Sequence, residues 1–86
     1  MCRNIRALNN LAPPATEAEV HDAALQYVRK IAGTRRPSRA NERAFDDAVA
    51  RITAASRDLL AALTTTAPPR TREQLADAAR ARTAAR

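Results

Sequence analysis

Glycine and cysteine each occur once in 86 residues, tryptophan not at all, and the aromatics are Tyr27 and Phe45. Each scarcity excludes something. A single glycine cannot build a Gly-rich phosphate loop. A single cysteine rules out an internal disulfide framework and any multi-cysteine zinc site. Two aromatics, both at helical spacing with other apolar residues, leave no platform on which bases could stack. β-branched residues are too few for a sheet. No uncharged stretch approaches the roughly 20 apolar residues of a membrane-spanning helix, so no span is expected. Neither a secretory apolar run nor an apolar stretch ahead of Cys2 is visible, and the expected compartment is the cytoplasm.

Alanine and arginine dominate what remains. There are 22 alanines, and 14 of the 15 cations are arginine against nine carboxylates, for a net charge of +6. High Ala content favours helices. Seven Leu, three Ile and three Val make a small core, so a chain of this length buries little by itself. The cationic balance fits an anionic partner such as nucleic acid, and equally a GC-rich coding sequence.

End signals bound three helices. Thr16-x-x-Glu19 is a capping box with acids on the positive end of the helix dipole. Val20, Ala24, Tyr27, Val28 and Ile31 form one apolar stripe, and Gly33 follows Arg29 and Lys30 as a C-terminal stop. The second helix is expected to begin at Ser38 after Pro37, with Asn41 as the alternative cap. It should carry Phe45, Ala48, Val49, Ile52, Ala55, Leu59, Leu60 and Leu63 inward and end before Pro68 and Pro69. Thr71-x-x-Gln74 opens a third helix whose apolar surface beyond Leu75 is alanine alone, so it should dock loosely. The expected architecture is all-α: an antiparallel hairpin of helices at about 16–32 and 38–64, an N-terminal segment packed on it, and a helix at about 71–84. Residues 1–70 form the helical domain, and 71–86 a basic Ala/Arg-rich helix or tail.

The second helix should be about 40 Å long and the first about 25 Å. The mismatch leaves Leu59, Leu60 and Leu63 uncovered. Ile5, Leu8 and Leu11 could close over them as a short helix or 3₁₀ turn. A homodimer covering the overhang with a second copy is the alternative.

Enzyme constellations are missing. His21 is the sole imidazole and points to the surface side of its helix, so no catalytic residue is assigned and the chain leans towards a non-enzyme. Two candidates remain. The interhelical loop brings Arg35, Arg36, Arg39 and Arg43 to the start of the second helix, where Ser38, Asn41 and free backbone N–H groups complete an anion-binding candidate. Its local balance from Gly33 to Arg43 is four cations against Glu42. The other candidate is Cys2. Removal of Met1 would leave an α-amine with a pKa of about 7.7–8.0 beside a thiol, with Arg3 adjacent, able to act as nucleophile, soft-metal chelator or mixed-disulfide partner. No second ligand or base can be named, the metal is unknown, and no cofactor is expected unless a metal sits at Cys2.

Met1-Cys2-Arg3-Asn4-Ile5, Pro13-Pro14-Ala15-Thr16, Val28-Arg29-Lys30, Gly33, Pro37-Ser38, Ala40-Asn41 and Thr66-Ala67-Pro68-Pro69 together resemble a family of short bacterial proteins, a domain of unknown function. The resemblance runs over nearly the whole chain. Similar sequences often carry aromatics just before the Pro-Pro pair, where this one has Asn9-Asn10-Leu11. It implies that Cys2 and Gly33–Asn41 are family features and carries no chemistry with it. The leading expectation is therefore a small non-enzymatic module engaging RNA or DNA phosphates through the Arg-rich loop. A redox- or metal-linked Cys2 and a protein-interacting hairpin are the alternatives.

Overall fold

The structure, a computed structural model, describes residues 5–85. Three α-helices follow one another: α1 (Glu17–Ala32), α2 (Glu42–Ala62) and α3 (Arg72–Ala84), with a 3₁₀ turn at Arg39–Asn41 leading into α2. α1 and α2 pack against each other as the expected hairpin, and the α3 backbone comes close to neither. No membrane-crossing helix exists among the described residues.

Local chemistry explains most helix ends. Thr16 accepts the Glu19 N–H at 3.1 Å while the Glu19 carboxylate accepts the Thr16 N–H at 2.8 Å, closing a capping box at the start of α1. Thr71 and Gln74 repeat the device at α3, with distances of 2.9 and 3.1 Å. Gly33 ends α1 at φ 72°, a left-handed conformation glycine adopts without steric cost, and its N–H donates to the Arg29 carbonyl.

The entry to α2 differs from expectation. Ser38 does not open an α-helix: its carbonyl accepts the Asn41 N–H at 2.9 Å, an i to i+3 bond that makes the 3₁₀ turn, and regular α geometry begins only at Glu42. Neither Ser38 nor Asn41 supplies a side-chain cap. α2 then ends at Ala62, ahead of the β-branched Thr64-Thr65-Thr66 run. Its 21 residues span about 31 Å, shorter than expected.

The buried core lies between the two helices. Val20, Ala24 and Val28 of α1 face Val49 and Thr53 of α2, and Leu11 is buried beside them in sequence-distant company. Phe45, Ala48, Ile52 and Leu25 pack partly against this cluster. Thr53 keeps its hydroxyl satisfied by donating to the Val49 carbonyl at 2.6 Å. The expected α1 stripe is corrected at two positions, since Tyr27 is 46% and Ile31 65% exposed. The contact line runs along the i, i+4, i+8 series from Val20, which leaves Tyr27 on the flank. Ile31 lies in the last turn of α1, beside the loop.

Residues 5–15 are not helical. They run through a turn at Asn9–Asn10 into a two-residue parallel bridge, Leu11 with Arg70. The Ala12 N–H donates to Arg70 and the Arg70 N–H to Asn10, both at 3.0 Å. Asn10, at φ 58°, donates its amide to the carbonyls of Ala67 and Pro68. The segment buries Leu11 but covers the α2 overhang only in part: Ile5, Leu59 and Leu63 stay exposed. Backbone pairing with the Pro68–Arg70 segment holds the chain extended, which a short helix could not do.

Candidate functional site

The tip of the hairpin is built by short-range bonds that leave its cations free. Arg29 donates from Nε to the Arg35 carbonyl at 3.2 Å, and the Thr34 hydroxyl donates to the Arg36 carbonyl at 2.7 Å. The Asn41 amide donates to the Ser38 hydroxyl at 3.0 Å. These bonds fix the loop backbone between Gly33 and Glu42. Arg35, Arg36, Arg39 and Arg43 are all exposed, and no ion pair among the described residues engages them.

The structure therefore divides the six expected anion-binding residues. The four arginines are available to a ligand. Ser38 and Asn41 are tied to each other across the 3₁₀ turn, an arrangement that leaves the Ser38 O–H and the second Asn41 amide N–H as donors. The start of α2 is reached through that turn, not presented as a bare helix end.

At the opposite end, arginines are occupied within the fold. Arg57 pairs with Glu17. Arg72, a residue that sequence reasoning assigned to the basic tail, binds Glu19 through Nε at 2.8 Å and Nη2 at 2.6 Å. The same guanidinium donates to the carbonyls of Pro13 at 2.7 Å and Pro14 at 3.1 Å. The hydrogen bond from Arg72, aided by the Thr16 N–H, holds the Glu19 carboxyl down to about 2, below its ordinary 4.5. Arg72 thus clamps the N-terminal segment, α1 and α3 together. Only its place one residue after the Thr71 cap hinted at this, because the partner lies 53 positions away.

Two shallow grooves flank the hairpin. One, about 370 Å³, is bordered by Leu8, Leu11, Glu17, Arg57 and Leu60 near the overhang. The other, about 450 Å³, lies between His21, Leu25, Asp46, Thr53 and Arg57. His21 is half exposed, with Nδ1 3.9 Å from Asp22. No group of three potential metal ligands stands together among the described residues. Cys2, and with it the expected thiol or metal role and its distance from the Arg loop, lies outside the described residues.

The family model described as "Uncharacterized conserved protein (DUF2277)" matches residues 1–78, so the chain belongs to that family. No curated protein and no solved structure matches the chain.

Proposed function

We propose that this DUF2277 chain is a small non-enzymatic module, acting in the cytoplasm, that binds the phosphates of RNA or DNA through the hairpin tip. One observation carries the proposal: four arginines within the nine residues from Arg35 to Arg43 are exposed and free of ion pairs, on a loop whose backbone is already ordered. Free arginines elsewhere, such as Arg6, Arg51 and Arg82, stand singly on separate elements. Guanidinium forks suit phosphate oxygens, and an ordered loop loses little entropy on binding. With Phe45 half-buried and Tyr27 the one exposed ring, no row of aromatics exists on which successive bases could stack. Binding is therefore phosphate-directed, tolerant of sequence and steep in salt.

Titration of the full chain against duplex DNA and single-stranded RNA across a salt series tests the proposal. Micromolar or tighter binding at about 50 mM salt, weakening linearly in log[salt], is expected. Absence of binding to either polymer at that salt removes the proposal and returns the arginine excess to composition.

A further inference from the structure

α2 carries a second apolar line that the hairpin buries only in its first half. Ala48, Ile52, Ala55, Leu59 and Ala62 recur at intervals of four and three, the spacing of one helix face. Ala48 and Ile52 are half-buried at its inner edge, whereas Ala55, Leu59 and Ala62 are exposed, Leu59 by 56%. No charged residue falls on the line, and Arg51 and Asp58 border its outer flank. Arg57, two residues from Leu59, points about 160° away, towards the groove with His21 and Asp46.

The chain as a monomer also shows too much surface. Its accessible area is 6990 Å². A compact monomer of 9.3 kDa would show about 5,000 Å². The radius of gyration is 15.0 Å against about 12 Å for a compact chain of this length. Among the described residues no side chain is fully buried, and α1 is the one α-helix packed on α2. The excess of about 2,000 Å² is shared among α3, the 61–71 connection and the open half of α2, and it leaves room for the roughly 800 Å² per partner that a standard stable interface removes.

The order of residues along the line selects the occupant. Laid antiparallel on a copy of itself, α2 sets Leu59 opposite Ala48 and Ile52 opposite Ala55, each pair occurring twice by symmetry. Every large side chain then meets an alanine, which lets the helices interdigitate at close spacing. A parallel pairing in register would instead set Leu59 on Leu59 and alanine on alanine. We propose that this face of α2 binds a second copy of the same chain, α2 antiparallel to α2, giving a two-layer helical homodimer. The second copy supplies the layer that a lone hairpin lacks. The dimer needs no nucleic acid and stands or falls independently of the phosphate-binding proposal.

Sedimentation equilibrium on the full chain in nucleic-acid-free buffer reads the mass. Twice 9.3 kDa is expected, and a wild type that remains monomeric at about 100 µM overturns the proposal. Leu59→Glu and Ala55→Glu each bury a charge in the proposed interface, so each should weaken dimerisation about 100-fold with unchanged helical circular dichroism. Dimers persisting undiminished in both variants also overturn it. Orientation is read by a nitroxide on Ala40→Cys in a Cys2→Ser background: antiparallel pairing separates the two labels by about 40 Å, given the helix rise, whereas a separation under about 20 Å rejects it.

Discussion

Arg72 reaches across from α3 to hold the Glu19 carboxylate of α1 with two nitrogens, at 2.8 and 2.6 Å. Glu19 is simultaneously the capping-box acceptor for the Thr16 N–H. One carboxylate therefore serves a local helix start and the long-range attachment of α3.

This double role makes stability depend on acid in a defined window. Glu19 titrates near 2 in the fold and near 4.5 when free. Its folded pKa is depressed, so its contribution is complete above about 4.5 and is lost as pH falls through that window towards 2. Thermal unfolding should show a lower Tm for Glu19→Gln than for wild type at pH 7, with the gap closing as pH approaches 2. A gap that stays constant with pH would contradict the role given to Glu19. Arg72→Lys should recover only part of what Arg72→Ala loses, because an ammonium cannot span both carboxylate oxygens and the Pro13 and Pro14 carbonyls.

Core substitutions should separate buried positions from those on the flank. Ala24 is 2% exposed between the helices, so Ala24→Leu should destabilise by about 1–3 kcal/mol through overpacking. Phe45 packs partly on the core, so Phe45→Ala should cost about 1.5–2.5 kcal/mol, near half the range for a fully buried phenylalanine. Tyr27→Ala, on the flank, should stay within about 1 kcal/mol of wild type. Urea denaturation with a shared m-value checks all three.

Gly33 offers a clean test of backbone strain. A Cβ there would meet nothing within 4 Å, so the only cost of Gly33→Ala is the left-handed conformation at φ 72°. The expected loss is about 1–2 kcal/mol, with Gly33→Asn costing less because asparagine tolerates that region. Equal stability of all three proteins in denaturant would mean that the α1 stop is not left-handed in solution.

If the tip binds phosphates, the triple variant Arg35→Ala, Arg36→Ala, Arg39→Ala should reduce the slope of log K against log[salt] on duplex DNA by about 2.7, at roughly 0.9 per lost contact. Removal of Arg80 and Arg82 should weaken binding less. Arg80 is paired with Asp77, and Arg82 stands at the far end of a helix whose backbone comes close to neither α1 nor α2. An unchanged slope in the triple variant would move the binding surface away from the tip.

What the sequence determined by itself were the features written in neighbouring residues. Both capping boxes, the Gly33 stop, the two-helix hairpin and a third helix without an apolar face all follow from spacings of three or four positions, over which helix physics is local. The exposed tip arginines were legible for the same reason, as a short basic loop between two bounded helices. Ser38 escaped because its hydroxyl is an equally good partner for Asn41 within a 3₁₀ turn, and side-chain chemistry alone does not choose between that and a helix cap. Tertiary structure alone decided the pairings that span the chain: Arg72 with Glu19, Asn10 with Ala67 and Pro68, and Leu11 with Arg70. It also decided which flank of the α1 stripe faces α2, and so why Tyr27 is left outside. A helical stripe of alanine, valine and leucine fits its partner over a range of rotations, and only the packed pair, with its strap of backbone bonds, selects one of them.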